Sequence, residues 1–170
     1  MAILNGGTAQ WMKDKRKTSR KESKVKKGNW VATAERSDIL ATSVDVEAAM
    51  KANTQLVDTR PISLYLGTWR KKSYVFANGH IPGAKSYPNE LLTTNMPAKF
   101  VDVSTAKSLM EQMGISSDKQ AVTYCNSGHL ATGSWFVMSE LMGNKNVKMY
   151  DGSMHQWTLE KRDVTKLKME

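Results

Sequence analysis

The chain reads as an α/β domain with a largely parallel sheet, and three observations lead there. Short apolar, β-branched runs alternate with stretches of helical periodicity. One run, Ala121–Tyr124, is apolar throughout enough of its length to be a strand buried on both faces. That run leads through a glycine-containing loop, Cys125–Leu130, straight into a helical pattern. At 170 residues the chain can hold one ordinary domain with a proper core.

Taken in order, the first stretch is Ile3–Trp11, which echoes Met149–Trp157 in pattern: an apolar pair, Asn or Asp with Gly and a small residue, then Trp. Residues 12–29 follow with almost no apolar content apart from Met12 and Val25. Nine basic residues stand between Lys13 and Lys27 against only Asp14 and Glu22, so most of the formal charge of +9 lies there. Such a segment cannot build a core and reads as a basic, flexible linker. No aromatic residues interleave its charges to stack on bases, so nucleic acid is not the expected partner.

Order is expected from Trp30. Trp30–Thr33 and Ile39–Ala41 look like strand pieces, and Thr42 to Asp45 offers an N-cap for a helix through Met50. Gln55–Val57 reads as a buried strand that ends before Pro61, which cannot donate to a ladder. Ser63–Gly79 reads as loop, and Gly79–Ala84 as a sharp turn into Lys85–Tyr87. Ser104 is the expected cap of a helix that runs to Met113 and stops at Gly114. After the central strand and loop, a helix starts at Ala131, with Gly143 in the place of a left-handed cap. Val147–Tyr150 is the last strand, and Asp151–Ser153 turns into a short helix around Trp157. Asp58, Arg60, Cys125 and Asp151 then fall at carboxyl ends of strands, where open α/β sheets place their crevice.

The loop carries the chemistry. A thiol at a strand end, followed by a tight loop and a helix N-terminus, is placed where free N–H groups and the helix dipole favour negative charge. Both lower the pKa of a thiol from about 8.5 toward neutrality, which makes thiolate available. The plain competing reading is that a lone cysteine is a small buried hydrophobe. A thiol phosphatase would need an Arg after the loop to grip phosphate, and that position is Ala131.

Other classes are set aside by composition. A single cysteine allows no internal disulfide, and three scattered histidines make no metal pattern, so no metal site is expected. No apolar run approaches the roughly 18 residues of a membrane span, and MAILNGGTAQW does not resemble a secretory signal. The expected location is the cytoplasm, where a free thiol stays reduced.

Four stretches together resemble the rhodanese family of sulfurtransferases: LVDTRP (56–61), GHIPGA (79–84), the loop CNSGHL (125–130) and VKMYDGSMHQW (147–157). The likeness covers about residues 30 to 160 and is to the C-terminal half of a tandem thiosulfate or mercaptopyruvate sulfurtransferase. It implies a rhodanese-like α/β fold, with a mostly parallel five-stranded sheet flanked by helices on both faces. It implies, too, that Cys125 takes a sulfane sulfur, becomes a persulfide and passes the sulfur to a thiol or other acceptor, without a cofactor. Asn126, Ser127, Gly128, His129, Leu130 and Arg60 would then bind the substrate. The partners implied are a small-molecule sulfur donor, a thiol-type acceptor and a separate rhodanese domain. Where relatives that use thiosulfate commonly carry Arg and Lys after the Cys, this chain has the neutral Asn126 and Ser127. The alternative is a non-enzymatic sulfur carrier or binding module left from a truncated tandem enzyme. The domain plan that follows is a remnant of a preceding unit at 1–11, a linker at 12–29, the rhodanese domain at 30–163 and a tail at 164–170.

Overall fold

A computed structural model describes residues 2–167. Five strands form one sheet: β1 (Leu40–Ala41), β2 (Gln55–Asp58), β3 (Lys85–Ser86), β4 (Ala121–Tyr124) and β5 (Val147–Tyr150). Their order is β1-β5-β4-β2-β3 and every pairing is parallel. The expected "mostly parallel" sheet is wholly so. Central β4 is buried at all its positions, in keeping with its unbroken apolar run.

Helices cover both faces. On one, α2 (Ser43–Lys51) and α6 (Ser153–Leu159) pack Val46, Met154 and Trp157 against Leu56, Val122 and Tyr150. On the other, Met110 of α4 (Val103–Gln112) and Val137 and Met138, just past the end of α5 (Ala131–Phe136), pack against Val57, Ala121 and Val147. α5 continues as a wider π-type turn over Val137–Leu141. Two shorter pieces complete the body, α3 (Ile62–Leu66) and a 3-10 turn at Asn89–Leu92. No helix among the described residues is long and apolar enough to cross a membrane.

Local signals account for most of the boundaries. Thr42 caps α2 in a reciprocal box with Asp45, as its sequence suggests. α4 is capped by Asp102, not by Ser104: the Asp102 carboxylate accepts from the Thr105 amide at 2.9 Å. Ser104 instead donates to that carboxylate, because Asp is an equally good cap two residues earlier. The stretch expected as loop after Pro61 contains α3, which ends on left-handed Gly67 (φ +78°). Trp30–Thr33 forms no strand and is exposed.

The N-terminal region is more regular than its composition suggests. α1 spans Gly7–Lys13, so helix reaches into the expected linker. The Phe100 amide donates to Asn5 Oδ1 at 2.9 Å and ties this segment to the domain. Part of the expected tail also docks: His80 and Thr165 exchange two backbone hydrogen bonds of 2.8 Å. The remainder of the tail, residues 168–170, and Met1 at the start of the expected remnant lie outside the described residues.

Candidate functional site

Parallel register sets the site. Asp58 at the end of β2 lies opposite Tyr124 at the end of β4, so the segments leaving both strands emerge side by side. The Thr59 amide and hydroxyl both donate to the Tyr124 carbonyl at 3.0 Å, which joins the two ends.

Arg60 is 1% exposed and its side chain turns inward. Its Nη2 donates to Asp58 Oδ2 at 2.6 Å and to the Gly79 carbonyl at 2.8 Å, and its Nε donates to Asp58 Oδ1 at 2.9 Å. Burial opposes the guanidinium charge, but the Asp58 carboxylate outweighs it and raises the Arg60 pKa further above its ordinary value. This pair ties the turn containing Gly79 to β2. His80, in the same turn, stacks on Tyr65 with ring centroids 3.8 Å apart, and its Nδ1 is 2.7 Å from the Tyr65 carbonyl. Tyr124 reaches under the turn, where its hydroxyl accepts from the Ile81 amide at 3.1 Å. Desolvation, then the charge of Asp58, push that hydroxyl well above its ordinary pKa, so it stays neutral.

The loop after β4 hangs on one residue that the sequence reading did not single out. Ser153 Oγ accepts from the Cys125 amide at 3.0 Å and the Gly128 amide at 3.1 Å, and donates to the Tyr150 carbonyl at 2.8 Å. Ser153 adopts a left-handed backbone (φ +50°) at the start of α6 to do so. Its signal was present in the DGS of residues 151–153, next to the strand end. Two further bonds clamp the loop to α6: Met154 N to the Cys125 carbonyl at 3.0 Å, and His155 N to the Asn126 carbonyl at 2.9 Å. Gly128 is held at φ +81°, and a Cβ there would lie 2.0 Å from Asp151 Oδ1. Only glycine fits.

Above the loop is a cavity of about 350 Å³ lined by Pro61, Leu64, Trp69, Lys71, Tyr74, Cys125, Asn126, Ser127, His129 and Leu130. Five of the expected site residues therefore meet around one space: Cys125, Asn126, Ser127, His129 and Leu130. Gly128 lies below it, against Asp151, and Arg60 is engaged with Asp58. The walls Trp69, Lys71 and Tyr74 come from the segment after α3, whose apolar and aromatic residues mark it in sequence. Among the described residues, the amides of Asn126, Ser127, His129 and Leu130 donate to no protein acceptor. Asn126 Oδ1 is buried without a partner as well.

The thiol itself does not stand as the sequence implied. Cys125 is 1% exposed, at the floor of the site, and its own amide and that of Gly128 turn down to Ser153. Leu130, at the start of the helix behind the loop, provides no side-chain cap. A nucleophile needs open sulfur for in-line attack, and at 1% exposure this thiol offers none. The expected sulfurtransferase, with Cys125 as a persulfide-forming nucleophile, is thereby corrected. Residue type and strand–loop–helix order were legible in the chain; the depth of the sulfur was not. No group of three or more His, Cys, Asp or Glu that could hold a metal occurs among the described residues.

Comparison with known proteins follows the architecture. The model of the rhodanese-like domain matches residues 42–160. The chain belongs to the rhodanese-like family. Among its rhodanese-like relatives, the sulfur carrier protein TtuD of Thermus thermophilus is 30% identical over 167 residues, covering 91% of this chain and 57% of that protein. A putative thiosulfate sulfurtransferase of Mycolicibacterium smegmatis is 30% identical over 161 residues, covering 92% of this chain and 56% of that protein. The chain thus spans a little over half the length of these relatives. In structure it resembles the anaerobic ergothioneine biosynthesis enzyme of Chlorobium limicola, with a TM-score of 0.86 and 20% identity, covering 98% of this chain and 41% of that one. It also resembles Tum1 of Saccharomyces cerevisiae, with a TM-score of 0.67 and 18% identity, covering 78% and 48%. At these identities the structural likenesses speak for the fold alone.

Proposed function

We propose that this rhodanese-like chain is a non-enzymatic binding module, whose loop cavity receives an anionic group. One observation carries the reading: a fully formed cavity stands over a thiol that is 1% exposed. Unpaired amides at Asn126, Ser127, His129 and Leu130 offer donors to an anion, and Lys71 and His129 add cationic or titratable groups at the walls. Leu64, Trp69 and Tyr74 supply the apolar and aromatic surface that small-ligand sites use. Asn126, Ser127, His129 and Leu130 are the binding residues in this reading, with Gly128 as the turn that shapes the loop and Arg60 as a positioning residue beneath it. Of the partners implied by the family resemblance, the separate rhodanese-like domain is retained.

The test is a titration followed by amide NMR, with thiosulfate and pyruvate as small anionic probes. The expected outcome is saturable shifts at residues 126–130, alike in the unmodified chain and in Cys125→Ala. Shifts absent from that loop, or present only with the thiol intact, would contradict the reading.

A further inference from the structure

The loop cavity has two sides that come from distant parts of the chain. One is the loop itself, with Cys125, Asn126 and Ser127; the other is the segment after α3, with Trp69, Lys71 and Tyr74. Among the described residues, no hydrogen bond joins the two sides directly. Near α3, the wall segment is anchored where the Thr68 amide and hydroxyl donate to the Ser63 carbonyl at 3.1 and 3.0 Å. Further on it closes upon itself. The Val75 amide donates to the Lys71 carbonyl at 2.9 Å, and Arg70 Nη1 donates to the Val75 carbonyl at 2.8 Å.

The far end of the wall is held by α6. The Phe76 amide donates to Thr158 Oγ1 at 3.0 Å, and His155 Nδ1 lies 2.7 Å from the Tyr74 carbonyl. A carbonyl only accepts, so Nδ1 carries the proton in this bond. The imidazole packs edge-on to the Tyr74 ring and tilted to that of Phe76, with centroids 6.0 and 6.2 Å apart. The same residue also holds the loop, because its amide donates to the Asn126 carbonyl at 2.9 Å. Met154 bonds the loop but not the wall, and Thr158 bonds the wall but not the loop. Among the described residues, His155 is the one that bonds both. It stands two positions after Ser153, so the turn of α6 that suspends the loop also reaches across to the wall.

We infer that His155 is a positioning residue that sets the width of the loop cavity, its main chain fixing the loop while its ring fixes the wall. His155 is not part of the cavity lining, so it acts through Asn126 and Tyr74. The inference rests on the reading of this cavity as the binding site, and it names what holds that site open at one width. A wall fixed before the ligand arrives need not be ordered on binding, which is where the gain in affinity comes from.

The experiment compares the full chain with His155→Ala and His155→Asn, by amide and indole NMR, in titrations with thiosulfate and pyruvate. His155→Ala should weaken both probes about tenfold, and in the free protein it should move the indole N–H signal of Trp69. His155→Asn, whose side-chain N–H can take the place of Nδ1, should restore both the affinities and the Trp69 signal. A residue that merely stabilised α6 would lower the thermal midpoint on substitution and leave affinity and the Trp69 signal as they were. Undiminished affinity in His155→Ala, an unmoved Trp69 signal, or no recovery with His155→Asn would overturn the inference. If the unmodified chain binds neither probe, the anion reading fails. The Trp69 signal of the free proteins then decides this inference, moved and restored in its favour or unmoved against it.

Discussion

Strands β2 and β4 are neighbours in register, yet their carboxyl ends are built in opposite ways. At the end of β2, Asp58, Thr59 and Arg60 are all buried, and the guanidinium is committed to Asp58 and the Gly79 carbonyl. Beyond β4, Cys125 and Asn126 are also buried, but Asn126 Oδ1 has no partner and a cavity opens above the loop. The first end is a closed joint that fixes the scaffold. The second is an open receptor resting on that joint. Burial alone does not distinguish them; the difference lies in whether the buried polar groups are already satisfied.

The largest effect should come from opening the closed end. Arg60→Met leaves the Asp58 carboxylate buried without its cation, and loss of one partner from a buried pair costs about 3–5 kcal/mol. Urea denaturation measures this, and a loss below about 1 kcal/mol would mean that the joint does not bear on stability. Next is the turn between the two ends. Gly128→Ala places a Cβ against Asp151 in a left-handed backbone, at a cost of about 1–3 kcal/mol. It should also abolish probe binding by displacing the loop, which calorimetry would register.

Ser153→Ala sharpens the comparison at a similar or smaller cost. It removes the acceptor of two buried amides and should destabilise by about 1–3 kcal/mol, with faster hydrogen exchange at Cys125 and Gly128. Unchanged exchange at both amides would show that the loop does not hang on Ser153. Smallest is Cys125→Ala, which trims a buried thiol that behaves as a small hydrophobe and should cost about 1 kcal/mol in thermal or chemical melts. Probe affinity should not change.

The fold was legible because its signals are local and redundant. The unbroken run of β4, the box at Thr42 and the stops at Gly114 and Gly143 each state one element, and parallel pairing follows from their alternation. The Asp102 cap and α3 were missed where two acceptable readings lay within a few residues of each other. In the site, the loop residues and their meeting place could be read from the chain. The depth of Cys125 could not, because it depends on Ser153 and α6, which reach the loop only through the sheet order. Trp11 and Trp157 show the same limit: local sequence sets both helices, but the rest of the molecule decides which one is buried.

The central claim is that the cavity binds without the thiol reacting, and intact-protein mass spectrometry addresses it directly. The chain is incubated with thiosulfate, freed of excess reagent and weighed alongside Cys125→Ala. The account predicts an unchanged mass for both proteins. A gain of one sulfur atom by the unmodified chain, absent from Cys125→Ala, would contradict it.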